Sequence, residues 1–378
     1  MSRAPLRVAV LGAGTVGREV VRGLVDGRDR LARLDAAVLE LAGIAVRDVA
    51  RARDAGLPAA LLTDAPAHLV ADPSIDVVVE LMGGDEPART LVGAALGAGK
   101  AVVTANKHIV AHHGPELEAT ARRARAPFRF EAAVGGGIPI LAPLASGLAA
   151  DRVSRVRGIV NGTTNWILSA MADDADPLGY DDALARAQAA GYAEADPTGD
   201  VEGLDAVNKL VILARLAFDV WLDPATVETT PTAAGADARP GIRGVTAEDL
   251  AAIRSEGRML RLVAEATRLD GDEVAASVLP TAVLAASPFG RTGGVTNRIE
   301  VDAEPLGRVA FEGPGAGGAA TSSAVLGDLL AIAAGRGSTW DFRPSTVSRV
   351  AARTRPSGVY RAGPSGQRYP LLADEVPA

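Results

Sequence analysis

Across the first third of the chain, short apolar runs alternate with stretches in which apolar residues recur every three to four positions, the pattern of repeated βα units. Strands are predicted over residues 7–11, 39–46, 76–81, 102–104 and 128–133, and helices over 15–26, 86–99 and about 112–125. Strands that are apolar throughout and lie between helices imply a parallel sheet covered on both faces. The first half is therefore predicted to be a doubly wound α/β domain.

Near residue 150 the pattern changes. A strand is predicted over 153–160, helices over 163–171 and 180–190, and one long apolar-faced helix over 201–218. Residues 259–269 and 273–279 alternate apolar and polar side chains around Asp270, Gly271 and Asp272, an antiparallel hairpin signal. Further strands are predicted over 298–301 and 308–311, and the glycine-rich stretch 313–318 leads into a helix over 321–333. Helices on an antiparallel sheet make a second, α+β domain. The residues after Trp340, dense in Arg, Pro, Ser and Gly, are expected to be loosely ordered.

Composition narrows the function. With 48% hydrophobic residues the chain of 378 can build a sizeable core, and 39 basic against 46 acidic side chains leave a net charge of −7. No run of Lys or Arg is present to grip a phosphate backbone, so nucleic acid is not an expected partner. Cysteine is absent, which excludes disulfides, thiolate metal sites and a Cys thioester, and fits a reducing cytoplasm. Arg7 interrupts the apolar N-terminus, which reads as a strand rather than a signal peptide. The uncharged stretch 132–150 is too rich in Gly, Pro and Ala to be a membrane span, and reads as a loop and a buried helix. Only Lys100, Lys107 and Lys209 are lysines. A guanidinium stays charged where a desolvated Lys can shed its proton, so these three are candidates for proton chemistry, although codon bias toward Arg explains the same scarcity.

Gly12, Gly14 and Gly17 form G-x-G-x-x-G after the first predicted strand and at a helix start, where glycines let a pyrophosphate approach the helix N-terminus. The domain is read as Rossmann-type, with a dinucleotide cofactor. The second strand ends in Arg47 and Asp48 rather than in the usual acidic partner of the adenosine ribose. Arg47 suits a 2′-phosphate; alternatively it is an exposed cation and Asp48 takes the ribose of NAD. The reading favours NADP. Lys107 follows a strand and begins a helix at the carboxyl edge of the sheet, where such folds bind ligands and where a helix N-terminus disfavours an ammonium ion.

Glu194, Asp196, Asp200, Glu202 and Asp205 gather ahead of and within the helix that bears Lys209. Asp205 and Lys209 are i and i+4, which makes either a surface salt bridge of about 0.2–0.5 kcal/mol or a half-buried site in which acids hold a ligand ammonium and tune a proton carrier. The residues alone leave both open. His108 and His112 have metal-pair spacing without a third ligand and are read as surface or packing residues, as is His68.

Several segments then converge on one family. Gly12-Ala13-Gly14-Thr15-Val16-Gly17, Glu80-Leu81-Met82-Gly83-Gly84, Thr104-Ala105-Asn106-Lys107, the stretch from Glu131 to Ile140, Asn161-Gly162-Thr163-Thr164-Asn165, Gly191-Tyr192-Ala193-Glu194-Ala195-Asp196, the stretch from Gly203 to Lys209, and that from Gly313 to Gly317 together resemble homoserine dehydrogenase. Order and spacing agree from residue 6 to about 333. The resemblance implies NAD- or NADP-dependent interconversion of L-homoserine and L-aspartate 4-semialdehyde, on the path to threonine and methionine.

It also implies roles. Lys209 matches the proton-transferring lysine and Lys107 a second active-site lysine. Glu194, Asp200, Asp205 and Tyr192, with the backbone of Gly162 and Thr163, match substrate-binding positions. The glycine turn with Ala13, Thr15 and Val16, together with Gly83, Lys107 and Gly317, matches cofactor contacts, to which Arg47 is added. Glu131, Val134, Gly136 and Ile138 match a loop holding a monovalent cation, sodium by expectation, mostly through carbonyl oxygens. Domains are expected at 1–148 for the dinucleotide, completed by 313–340, and at 149–312 for substrate and dimerisation, with a tail at 341–378. A cytoplasmic homodimer is expected, acting on a small molecule, without a nucleic-acid or membrane partner. Trp166 stands where the family commonly has Tyr or Phe, and Ala320 where Pro often precedes Thr321. About 45 residues follow Ala333, too few for the amino-acid-sensing ACT domain of many relatives, so threonine is expected to inhibit weakly, as a homoserine competitor. Two rivals are kept. One is another two-domain amino-acid dehydrogenase; the other is a non-catalytic dinucleotide sensor, for which proton-carrying lysines would have no use.

Overall fold

β1 (Leu6–Leu11), β2 (Leu39–Ala45), β3 (Leu62–Thr63), β4 (Val77–Glu80), β5 (Ala101–Thr104) and β6 (Phe128–Arg129) form a parallel sheet in the order β3-β2-β1-β4-β5-β6. The computed structural model describes residues 4–27, 38–173, 175–230, 239–270, 273–345, 349–354 and 360–375. The chain divides into two units, Met1–Ala149 with Ala316–Ser348, and Ala150–Gly315 with Arg349–Ala378.

In the first unit Val8, Val10, Val77, Val79 and Val103 lose all solvent contact, as strands covered on both faces must. Val20 and Leu24 of helix Thr15–Val25 pack with them, as do Val325 and Leu329 of helix Gly318–Ala333. Each such burial contributes roughly 1.5–3 kcal/mol. Strand order reverses beside β1, whose neighbours are β2 and β4, so the crevice for a ligand opens at the carboxyl ends of these strands.

Two predicted boundaries move in this unit. The helix expected from about His112 begins at Lys107, because the Asn106 side chain caps it by accepting from His108 N and Ile109 N; Pro115 is accommodated inside. The strand expected over 128–133 stops at Arg129 and gives way to a turn at Glu131–Ala133. The Glu131 carboxylate folds the following chain back by accepting from Ile140 N, Leu141 N and Ala142 N. The expected buried helix within 132–150 is one short π turn, Pro143–Gly147.

The second unit is built on an antiparallel sheet of β7 (Arg152–Ile159), β9 (Arg258–Arg268), β10 (Val274–Leu284), β11 (Thr296–Glu304) and β12 (Gly307–Pro314), ordered β10-β9-β7-β11-β12. The short β8 (Trp221–Leu222) lies apart, pairing with β13 (Arg349–Val350). Hairpin β9–β10 forms as predicted, though Gly271 and Asp272 of its turn lie outside the described residues. β10 runs past its predicted end at Leu279, through Pro280. Ala276 N and Val278 N donate outward, away from β9, so by the two-residue period Pro280 lacks a donor only on the outer edge.

The predicted helix over 201–218 is broken into Thr198–Val201 and Leu204–Phe218 by Gly203, whose φ of 84° suits glycine alone. The described residues of the C-terminal segment are not loose. β14 (Tyr360–Ala362) and β15 (Arg368–Pro370) form a hairpin, Tyr369, Leu371 and Leu372 are buried, and Leu371 bridges to Ala282 of β10. The buried Asp249 accepts from Ser365 N, Ser365 Oγ and Tyr369 OH, and the Asp374 carboxylate accepts from Arg157 and Arg308. Side-chain pairing thus orders a segment that its composition alone would leave open. Among the described residues no helix is long and apolar enough to cross a membrane.

Candidate active site

In the first unit the site begins where β1 ends. Gly12 has φ of 99°, and a Cβ there would lie 2.7 Å from Leu81 O; one at Gly17 would lie 2.0 Å from Gly12 O. The turn is therefore closed tightly against the end of β4, and Gly14 leads into helix Thr15–Val25 with its N–H groups facing outward from the sheet edge. A cavity of about 610 Å³ opens there, lined by Gly12, Ala13, Gly14, Arg47, Met82 and Gly83 among others. Thr15 and Val16 form the first turn of the helix. Gly317, with φ of 113°, precedes Gly318, where a Cβ would lie 2.9 Å from Thr15 O, so the helix returning to this unit starts against the glycine turn.

Arg47 is exposed at the rim of this cavity, which Arg18 and Arg51 also line. Asp48 accepts from Arg51 N at 2.9 Å and so caps helix Val49–Asp54. Lys107 is half-buried as the first residue of its helix, next to the carboxyl end of β5. His113 Nε2 lies 2.8 Å from Asp85 Oδ1, and the rings of His108 and His112 stack at 4.3 Å. His68 is an exposed helix residue.

Glu131, Val134, Gly136 and Ile138 share one tight loop, in which Gly135 and Gly136 have positive φ and Ile138 N donates to Gly135 O at 2.9 Å. Burial, with the Asp328 charge beside it, pushes the Glu131 carboxyl up to about 7, against the three backbone N–H bonds it accepts. Those bonds occupy both carboxylate oxygens. What the loop has left for a cation is therefore its main-chain carbonyls, neutral and hard oxygen donors. Among the described residues no group of three or more His, Asp or Glu side chains is arranged to hold a metal.

In the second unit the break at Gly203 brings the acids to the end of β7. Lys209 Nζ donates to Asp205 Oδ2 at 2.7 Å and to Val160 O at 2.7 Å. Asn161 Nδ2 donates to Asp200 Oδ1 at 2.6 Å and to Asp205 Oδ2 at 2.8 Å, while Asn161 Oδ1 accepts from Thr164 N and so fixes the amide's orientation. The Asp205 and Lys209 side chains are 12% and 11% exposed, so this is a buried pair, not the surface salt bridge that the spacing also allowed. Gly162 and Thr163 begin helix Gly162–Met171, and Thr163 Oγ1 donates to Tyr192 O at 2.7 Å.

The other carboxylates do not join this group in the same way. Asp196 accepts from Thr198 N, which with the Thr198 hydroxyl holds its carboxyl below the usual range. Glu202 pairs with Arg243 at 2.5 Å. Glu194 is exposed on the segment after helix Tyr180–Ala189, its carbonyl accepting from Gln188 Nε2. Asn161 is the hub of the acid cluster and was not singled out from sequence; its place ahead of Gly162 and Thr163 as a helix N-cap was the available signal.

Comparison with known proteins decides the family. The family model described as "Homoserine dehydrogenase" matches residues 139–330, and that described as "Homoserine dehydrogenase, NAD binding domain" matches residues 12–131. The chain belongs to the homoserine dehydrogenase family. It is 46% identical over 336 residues to the homoserine dehydrogenase of Mycobacterium tuberculosis, covering 88% of this chain and 73% of that protein. The crystal structure of a homoserine dehydrogenase from Thiobacillus denitrificans superposes with a TM-score of 0.82 at 36% identity, over 91% of this chain and 80% of that one. A hyperthermophilic archaeal homoserine dehydrogenase in complex with NADPH has a TM-score of 0.70 at 27% identity, over 86% and 97% of the two chains. As a homoserine dehydrogenase the chain is an NAD(P)-dependent oxidoreductase that interconverts L-homoserine and L-aspartate 4-semialdehyde in amino-acid biosynthesis. This sets aside the sensor and the other amino-acid dehydrogenases.

Proposed function

We propose that Lys209 carries the proton in this reaction and that Lys107 is the second lysine of the site. The observation that carries the reading is the pairing of Lys209 Nζ with Asp205 Oδ2 and Val160 O, each at 2.7 Å. An ammonium has three N–H donors, and two are committed, so the third is left to aim at a substrate oxygen. In the reducing direction Lys209 gives its proton to the carbonyl oxygen as an alkoxide develops; in the oxidising direction the neutral amine takes the hydroxyl proton. Asp200 and Asp205, held together by Asn161, hold the substrate ammonium with Glu194, Tyr192 and the Gly162–Thr163 backbone, and fix the orientation on which the transfer depends.

The first unit is the dinucleotide domain in this reading, and the second binds substrate and forms a homodimer. Gly12, Ala13, Gly14, Thr15, Val16, Gly17, Gly83, Lys107 and Gly317 hold the cofactor, with NADP favoured because Arg47 stands at the cavity rim ready for a 2′-phosphate. When bound there, the nicotinamide supplies the hydride acceptor or donor. The carbonyls of Glu131, Val134, Gly136 and Ile138 hold a monovalent cation, taken as sodium, and the absence of cysteine supports a cytoplasmic setting. A spectrophotometric assay with homoserine and each cofactor tests the whole. Turnover is expected with both, with the lower KM for NADP; a lower KM for NAD would reverse the cofactor assignment.

A further inference from the structure

Glu80 is a buried titratable group that the reaction as described does not use. It ends β4 with 0% of its surface exposed, and its register partner across the sheet is Thr104, the last residue of β5. Its Oε1 accepts from Met82 N at 2.8 Å and Gly83 N at 3.0 Å, and its Oε2 accepts from Thr104 Oγ1 at 2.5 Å. Thr104 Oγ1 accepts in turn from Asn106 N at 2.9 Å. Asn106 Nδ2 donates to Gly84 O at 2.8 Å, while Asn106 Oδ1 caps the helix that Lys107 begins.

A carboxylate out of contact with water is costly unless every oxygen is satisfied. Here two of the bonds come from one loop, and the third comes from Thr104 at the end of β5, which in turn accepts from a second loop. The first is the loop over 81–84, whose Leu81, Met82 and Gly83 line the dinucleotide cavity; the second carries Asn106 and Lys107. Gly83 and Gly84, with φ of 71° and 73°, allow the first loop to curl over the carboxylate. The two loops are thereby fixed to each other twice, through Glu80 and Thr104 and through Asn106 and Gly84. Lys107 Nζ ends a flexible four-carbon stem, so its placement is only as good as the placement of its backbone.

We propose that Glu80 is a positioning residue, which through Thr104 and Asn106 fixes the backbone of Lys107 against the cofactor loop. This rests on the reading of Lys107 as an active-site group. Thr104→Val removes the connecting hydroxyl at nearly constant volume. In the full-length enzyme it is expected to lower kcat by about ten- to a hundredfold, the scale of a misplaced group, while homoserine KM changes little. Thr104→Ser is expected to restore kcat.

The deciding measurement is a double-mutant cycle with Lys107→Arg. In that background Thr104→Val should cost nothing more, because the group it positions is already gone. Losses that multiply independently, or a wild-type kcat in Thr104→Val, overturn the proposal while leaving Lys107 in place. Near wild-type turnover in Lys107→Arg alone overturns the reading of Lys107 and this inference with it. Should thermal unfolding show that Thr104→Val does not fold, Asn106→Ser carries the same cycle, since Ser still caps the helix but does not reach Gly84 O.

Discussion

Each unit builds its own candidate site by a different physical means. In the first, the candidate contacts are mostly backbone, with Arg47 and Lys107 beside them: a glycine turn packed against Leu81 O, a loop of two left-handed glycines, and a helix start. In the second they are side chains locked to each other, Asn161 to Asp200 and Asp205, and Asp205 to Lys209. A backbone site is vulnerable to added volume and indifferent to charge; a side-chain network is the reverse. Cofactor and substrate functions should therefore fail under different kinds of substitution.

The largest effect tests the second unit. Lys209→Arg keeps the charge but not the ability to give up a proton, so kcat should fall by about 10²- to 10⁴-fold with cofactor affinity unchanged. Turnover close to wild type would remove Lys209 from the proton path. Gly12→Ala is the counterpart in the first unit. Its Cβ meets Leu81 O and its φ of 99° is forbidding, so the dinucleotide Kd should rise by about a hundredfold while homoserine KM at saturating cofactor holds. If homoserine KM moved instead, the division between backbone and side-chain sites would be lost.

Asn161→Ala leaves Asp200 and Asp205 without their shared donor, and about 1–3 kcal/mol of interaction goes with each charged partner. Homoserine KM should rise more than tenfold and the cofactor Kd should not; isothermal titration separates the two. Arg47→Ala removes a guanidinium without disturbing the glycine turn. NADP should weaken about tenfold more than NAD, and equal weakening would assign Arg47 to structure alone.

The smallest effect lies away from chemistry. The Asp374 carboxylate accepts from Arg157 Nη1 and Nη2 at 2.7 and 2.9 Å and from Arg308 at 2.8 Å; those partners hold its carboxyl well below the usual range against the burial that raises it. Its folded pKa is depressed, so its contribution is present above the ordinary carboxylate range and is lost as pH falls through the folded value. Asp374→Asn should cost about 1–3 kcal/mol near neutral pH and flatten the acid limb of the stability profile. Thermal melts of both proteins from neutral to acid pH check the sign.

Much of this was legible in the chain itself. The βα alternation, the glycine turn and the position of Lys107 follow from local pattern, because backbone sites are written in short runs of sequence. The side-chain network was only half legible. The spacing of Asp205 and Lys209 was visible, but whether the pair was buried depended on Val160 and Asn161, 49 and 44 residues before their partners. The helix expected over 201–218 runs through Gly203, which is its break. The C-terminal segment misled most, since Asp249, Arg157 and Arg308 lie far away in sequence and are what order it.

The chain's double passage between the units bears on how the protein is made. The first unit is closed by helix Gly318–Ala333 and the second by residues from Arg349 onward, so neither core is complete until those late segments have been made. Val20 and Leu24 leave the ribosome some 300 residues ahead of Val325 and Leu329, which cover them. Contacts so distant in sequence close slowly, and the waiting apolar face invites aggregation. A ribosome stalled before residue 318 would hold a chain with both sheets nearly present and neither able to close.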